Sequence, residues 1–129
     1  MIHPTAIIHP KARLDTTVQV GPGAVIDEGV ELGAHCVLGP HVYLTGQTTI
    51  GARNRFHAGS VIGDAPQDLK YTGTPTRLRI GTDNVFREHV TVHGGTPFGG
   101  GTTTVGDHNM LLVGAHIGHD STIGNHVVF

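Results

Sequence analysis

Apolar residues recur at every sixth position along most of this chain. An α-helix repeats about every 3.6 residues and a strand every 2, so neither element produces this spacing. A hexapeptide repeat predicts a parallel β-helix, in which three short faces close a coil about every 18 residues. The repeating positions are Ile2, Ile8, Leu14, Val20, Ile26, Leu32, Leu38, Leu44, Ile50, Phe56 and Ile62, then Ile80, Phe86 and Val92, then Val105, Leu111, Ile117, Ile123 and Phe129.

The other positions of each hexad support the same fold. Small or modest residues such as Ala24, Val30 and Cys36 stand four places after the repeating residue, where we expect a second inward side chain near a corner. Glycine often follows the repeating residue directly, as at Gly21 and Gly33. We expect these glycines to supply the unusual backbone angles of tight corners. Because they keep phase, they do not indicate a flexible linker.

Two interruptions of the repeat, at about 63–79 and 93–104, predict loops that leave the solenoid on one side. Loops on a rigid scaffold often carry recognition residues. We therefore predict one all-β domain over residues 1–129, with roughly six coils and two loop insertions. The chain stops on a repeating residue, Phe129, without a polar capping segment, so we expect it to be C-terminally truncated.

Composition narrows the class of protein. The formal net charge is −2, and no basic run is present, so a nucleic-acid partner is not expected. The repeat begins with the first residues, which leaves no sign of a signal peptide or a membrane span. The single cysteine, Cys36, occupies an inward position and predicts a buried thiol with no internal disulfide. These features favour a cytoplasmic protein.

Most of the 11 histidines do not by themselves indicate a site. Those three places after a repeating residue are expected to face solvent or a neighbouring subunit. His116 and His119 differ, because His119 is followed directly by Asp120. A carboxylate beside an imidazole can fix its tautomer and raise its basicity. His119 is therefore the candidate catalytic base. The outward set is His35, His41, His89, His108 and His126.

Four segments carry a resemblance that covers the whole chain in order: QDLKYTGTPTRLRIG from Gln67, REHVTVHGGT from Arg87, GGGTTTVGDHN from Gly99 and AHIGHDSTIGN from Ala115. They resemble the N-terminal part of the UDP-N-acetylglucosamine O-acyltransferases, which take the first step of lipid A biosynthesis. The resemblance implies a left-handed parallel β-helix, a homotrimer and active sites between subunits.

The resemblance also implies roles for individual residues. His119 would take the proton from the glucosamine 3-hydroxyl as it attacks the thioester of a 3-hydroxyacyl-acyl carrier protein, and Asp120 would support it. The acceptor is UDP-N-acetylglucosamine or its 3-amino analogue. Because the donor is an activated thioester, neither a metal, a cofactor nor a covalent nucleophile is expected. The implied substrate-binding residues are Gln67, Asp68, Lys70, His93 and His116.

The chain departs from the family at Gly94, where the family often has arginine. The family also continues for several coils and a helical domain, which supply the oxyanion donor. We therefore expect the 129-residue segment alone to be weakly active or inactive.

Three other interpretations remain open at this point. The chain could be a trimeric β-helix scaffold without activity, or another hexapeptide-repeat acyltransferase. It could also resemble the γ-class carbonic anhydrases, which hold a metal with three histidines on the same prism.

Overall fold

A computed structural model describes all residues from Met1 to Phe129. Its strands are short, all pair in parallel, and form three sheets that are the faces of a left-handed β-helix. The faces hold six, six and five strands, which makes five complete turns and two further strands. The predicted parallel β-helix of roughly six coils with two loop insertions is confirmed.

Successive strands lie on successive faces, so each strand pairs with the third strand along the chain. Face 1 consists of β1 (Ile7–Ile8), β4 (Val25–Ile26), β7 (Tyr43–Leu44), β10 (Val61–Asp64), β13 (Thr91–His93) and β16 (His116–Ile117). Face 2 consists of β2 (Arg13–Leu14), β5 (Val30–Leu32), β8 (Gln47–Ile50), β11 (Arg77–Ile80), β14 (Thr102–Val105) and β17 (Thr122–Ile123). Face 3 consists of β3 (Gln19–Val20), β6 (Val37–Leu38), β9 (Arg55–Phe56), β12 (Val85–Phe86) and β15 (Met110–Leu111).

The apolar repeat forms the core of the prism. From Val20 to Ile117 every repeating residue is buried, and the register places each above its counterpart in the coil below. Phe56 and Phe86 stack with their ring centroids 4.7 Å apart. The inward position four places later is also buried from Ala24 to Asn109, including Cys36 as predicted. Burial of this apolar column is the main stabilising term of the fold.

Glycine plays a different part from the one expected. Among the glycines that directly follow a repeating residue, only Gly63 has a positive φ, of 92°. At most of the others a side chain is excluded because the next coil lies too close: a Cβ on Gly33 would be 2.7 Å from the carbonyl carbon of Gly51. Gly118 and Gly124, near the last strands, have no such close neighbour. The left-handed residues instead stand three places after the repeating residue, and include Asp83 and Asp120 with φ of 59° and 62°. The expectation that the first set supplies the corner angles was wrong.

Both loops leave the prism where face 1 passes to face 2, which we call the site corner. Strand β10 continues to Asp64 and β11 begins at Arg77, so the first loop covers 65–76. The second loop covers 94–101, between β13 and β14. The strands thus extend slightly into both interruptions, because Leu78 and Thr103, two places before the repeating residue, also point inward and pair in register. No helix long and apolar enough to cross a membrane is present.

Candidate active site

The site corner collects the predicted catalytic residues. The turn that carries His119 and Asp120 lies between β16 and β17, so it stands one coil beyond the second loop on the same corner. Strand β13 ends at His93 immediately before that loop, and its neighbour β16 begins at His116. The parallel stacking therefore brings together four predicted residues, His93, His116, His119 and Asp120, from two successive coils.

His119 and Asp120 form a hydrogen-bonded pair, with His119 Nδ1 2.9 Å from Asp120 Oδ2. An ionised carboxylate can only accept, so this contact requires the proton on Nδ1 and leaves Nε2 free as an acceptor. The His119 side chain is 36% exposed, whereas that of Asp120 is only 12% exposed. The imidazole can therefore reach a substrate while its partner stays enclosed.

The carboxylate of Asp120 is held by the second loop. The main-chain N–H of Thr96 donates to Oδ1 at 2.7 Å, and the Thr96 hydroxyl donates to Oδ2 at 2.6 Å. Burial alone would raise the pKa of Asp120, but the hydrogen bonds from Thr96 and His119 outweigh it and hold the pKa below its usual value. Asp120 is therefore ionised at neutral pH.

His93 and His116 form the neighbouring wall. Their rings meet edge to face with centroids 4.7 Å apart. His116 Nδ1 and Thr91 Oγ1 form a hydrogen bond of 2.7 Å. His93 is 7% exposed, and its Nδ1 is buried without a hydrogen-bond partner. Burial is the main cause that lowers the pKa of His93, and the positive charge that His116 would carry is the second. The carboxylate of Asp64 raises this pKa and offsets the two causes only in part. The imidazole of His93 is thus kept neutral.

The structure does not join the loop residues to this histidine group. Gln67 and Lys70 are exposed in the first loop, and no hydrogen bond links them to His93, His116 or His119. The Asp68 side chain accepts the N–H of Lys70 at 2.9 Å, a contact that shapes the loop itself. Leu69, between them, is fully exposed. Within one copy of the chain, these predicted substrate-binding residues face solvent.

A cavity of about 390 Å³ lies between the first loop and the prism. Asp64, Tyr71, Arg77 and Gly94 are among the residues that line it, so it adjoins the strand end that carries His93. A second depression, of about 400 Å³, lies on the outer surface of face 2 among Arg13, Arg77 and Arg79 and contains none of the predicted site residues. No group of three or more His, Cys, Asp or Glu side chains in the chain is arranged to hold a metal ion.

The threonines of the site were not predicted from the sequence. Thr96 binds both oxygens of Asp120, Thr91 binds His116, and Thr103 Oγ1 accepts the main-chain N–H of Asp120 at 2.8 Å. One signal was present for Thr96, which stands four places after the repeating residue Val92, at an inward position. Its partner could not be read from the sequence, because the loop breaks the period between them.

Comparison with known proteins gives a consistent result. Residues 12–46 and 29–64 match the family described as bacterial transferase hexapeptide (six repeats). An acyl-[acyl-carrier-protein]–UDP-N-acetylglucosamine O-acyltransferase of Saccharophagus degradans is 50% identical over 127 residues, covering 98% of this chain and 49% of the relative. A protein of the same name from Stutzerimonas stutzeri is 51% identical over 128 residues, covering 99% of this chain and 50% of the relative.

The solved structures agree with the sequence relatives. The structure of LpxA from Acinetobacter baumannii superposes with a TM-score of 0.98 at 43% identity, covering 99% of this chain and 50% of that chain. The resemblance inferred from the QDLKY and AHIGHD segments is confirmed. The chain spans about half the length of the curated relatives it matches.

Proposed function

We propose that this chain, which is homologous along its whole length to half of the UDP-N-acetylglucosamine O-acyltransferases, carries the general base of that acyl transfer. The observation that carries the proposal is the His119–Asp120 pair, with Nδ1 engaged at 2.9 Å and Nε2 free, beside His93 and His116. These groups meet at the one corner from which both loops leave. An alcohol acceptor needs such a base, whereas an activated thioester needs no covalent catalyst.

The reaction follows from this arrangement. Nε2 of His119 accepts the proton of the sugar 3-hydroxyl as that oxygen bonds to the carbonyl carbon of the 3-hydroxyacyl thioester. When the tetrahedral intermediate collapses, the carbon–sulfur bond breaks and the sulfur takes the proton from the imidazolium. The product is the 3-O-acyl sugar nucleotide together with the free thiol of the acyl carrier protein. Asp120 stays ionised throughout and stabilises the transient positive charge on His119.

The substrate-binding roles divide between two surfaces. His93, kept neutral by burial, packs its ring edge to face against His116, and the two rings together would line the substrate-binding surface. In the first loop, Gln67 and Lys70 contribute exposed polar groups beside the half-buried Asp68, and the Lys70 ammonium suits a diphosphate. UDP-N-acetylglucosamine or its 3-amino analogue would lie between these two surfaces.

We propose that the loop residues meet the histidines of a second copy, in a homotrimer. Along the outside of face 1, side chains of Ile7, Val25, Tyr43 and Val61 stand in register and lead directly to Thr91 and His116. Ile7 is 67% exposed, and Leu69 at the loop is fully exposed. A neighbouring subunit that covers this stripe would bury apolar surface beside the site. It would also bring its own loop residues to His116.

We assign the reaction to lipid A biosynthesis in the cytoplasm. The relatives' names state the two substrates, an acyl-acyl carrier protein and UDP-N-acetylglucosamine. The single buried thiol of Cys36 is compatible with a reducing compartment.

The test is an acyl-transfer assay from 3-hydroxyacyl-acyl carrier protein to UDP-N-acetylglucosamine. Two proteins are assayed: this chain, and a hybrid in which it replaces the matching half of the Saccharophagus degradans relative. We expect little or no turnover by the chain alone and clear turnover by the hybrid. His119→Ala should reduce hybrid turnover at least about a hundredfold. His108→Ala, at an exposed histidine of another corner, is the matched control and should leave turnover unchanged.

Two results would contradict the proposal. One is a folded hybrid that transfers no acyl group while the intact relative does. The other is full activity of the His119→Ala hybrid, which would exclude His119 as the base.

A further inference from the structure

We propose that Thr96 is a positioning residue, whose main-chain N–H and hydroxyl clamp both oxygens of Asp120 so that Oδ2 faces His119 Nδ1. The inference rests on the proposed function, because it assigns a reason for the clamp within that reaction. It also assigns a purpose to the second loop, 94–101, which would otherwise be an unexplained break in the hexapeptide repeat.

The clamp engages the two carboxylate oxygens separately. Oδ1 accepts the Thr96 N–H at 2.7 Å, while Oδ2 accepts the Thr96 hydroxyl at 2.6 Å and His119 Nδ1 at 2.9 Å. With both oxygens engaged, rotation of the carboxylate about its terminal bond would break these hydrogen bonds. The imidazole is therefore held in one orientation and one tautomer.

The Thr96 hydroxyl has no freedom to turn away. While it donates to Oδ2, it accepts the main-chain N–H of Gly99 at 3.1 Å, and the threonine is 1% exposed. On the other side, the left-handed backbone of Asp120 is held by Thr103 Oγ1, which accepts its N–H at 2.8 Å. The carboxylate is thus fixed at its backbone and at both oxygens.

The loop is shaped closely around this carboxylate. A methyl group on Gly99 would collide with Oδ2 and Cγ of Asp120, and one on Gly95 would lie 2.7 Å from Oδ1. Gly99 does not have a positive φ, so a side chain is excluded there by the carboxylate and not by the backbone conformation. Gly99 and Gly95 therefore line a socket for Asp120, although a side chain on Gly95 would first meet the main chain of Gly101 and Thr102.

The first test replaces the hydroxyl. Thr96→Val removes the donor to Oδ2 at nearly constant shape, Thr96→Ser restores it, and Thr104→Val makes the same change where the hydroxyl has no partner. The pKa of the Asp120 carboxyl is measured in this chain by carbon-13 NMR, and the His119 tautomer by nitrogen-15 NMR. In the hybrid enzyme, kcat and KM are measured against pH.

We expect Thr96→Val to raise the pKa of Asp120, to reduce the population of the Nδ1–H tautomer of His119 and to lower kcat about tenfold at unchanged KM. Thr96→Ser should restore all three values, and Thr104→Val should change none. A Thr96→Val protein with unaltered Asp120 pKa and His119 tautomer would overturn the proposal.

A second variant disturbs the socket without changing Thr96. Gly99→Ala should displace the carboxylate and change the His119 tautomer, whereas Gly124→Ala, where a methyl group would meet nothing within 4 Å, should not. An unchanged tautomer in a folded Gly99→Ala protein would also overturn the socket. If the NMR changes occur but the unsubstituted hybrid transfers no acyl group, the socket stands and the proposed function fails.

Discussion

Two corners of the prism use the same left-handed turn for different purposes. At the corner where face 2 passes to face 3, which we call the asparagine corner, Asp83 adopts φ of 59° and pairs across the surface with Arg53 at 2.8 and 3.0 Å. At the site corner, Asp120 adopts φ of 62° but is enclosed by a loop and pairs with His119. The backbone is the same, so the covering loop makes the difference.

The inward side chains of the asparagine corner complete the contrast. Asn54, Asn84 and Asn109 form a ladder in which each side chain binds the main chain of a neighbouring coil. Asn84, for example, donates to Gly106 O at 2.8 Å and accepts the N–H of Asn109 at 2.9 Å. Buried polar groups here satisfy the backbone, whereas at the site corner His93 Nδ1 is left without a partner. One corner satisfies its buried polar atoms and secures the stack, whereas the other leaves a buried imidazole nitrogen unpaired near the His119–Asp120 pair.

The largest expected effect comes from making the same substitution at both corners. Asn tolerates the left-handed conformation, so Asp120→Asn and Asp83→Asn change charge without straining the backbone. Asp120→Asn should lower acyl transfer by the hybrid about a thousandfold, because an amide no longer stabilises the imidazolium and does not enforce its tautomer. Asp83→Asn should leave turnover unchanged, since it removes only an exposed ion pair. If the two variants lost turnover equally in steady-state assays, the two corners would not differ in their role in catalysis.

The next effect is on stability and should appear at the other corner. Asn84→Ala leaves the carbonyl of Gly106 and the N–H of Asn109 buried without partners. We expect a loss of about 3 kcal/mol in the free energy of unfolding, measured by urea denaturation. Asn125→Ala, at an exposed residue whose side chain makes a single hydrogen bond, to the N–H of Asp107, should cost less than about 1 kcal/mol. Comparable values for the two variants would show that the ladder is not a main support of the stack.

The contrast also explains what could be read from the sequence. The hexad spacing predicted the three faces and the buried column, because each coil repeats the same local geometry. The second inward positions were expected to hold small or modest residues, and this expectation did not include the buried Asn54 and Asn84. His119 and Asp120 are adjacent, so their pairing was visible, but Thr96 lies 24 residues from Asp120 across a loop of no fixed period. Periodicity therefore predicts what the coils repeat and fails where a loop departs from the repeat.

The smallest expected effect concerns the pH dependence of the site corner. The pKa of His93 is lowered by burial and by His116 and His119, with Asp64 opposing. Because the folded-state pKa lies below the unfolded value of about 6.5, protons bind the unfolded chain more readily. His93 therefore contributes stability that is present above about pH 6.5 and is lost as the pH falls through its folded-state pKa. His93→Phe keeps a ring against His116 and abolishes the titration.

Urea denaturation at pH 7.5 and 5.5 measures this contribution as a difference between proteins. Between these two pH values, the unsubstituted chain should lose more stability than His93→Phe. His108→Phe, at an exposed histidine of the asparagine corner, should behave like the unsubstituted chain. If His93→Phe loses as much stability as the unsubstituted chain, His93 titrates as freely as a surface histidine. Enclosure of polar groups would then be confined to Asp120, and the second loop alone would distinguish the two corners.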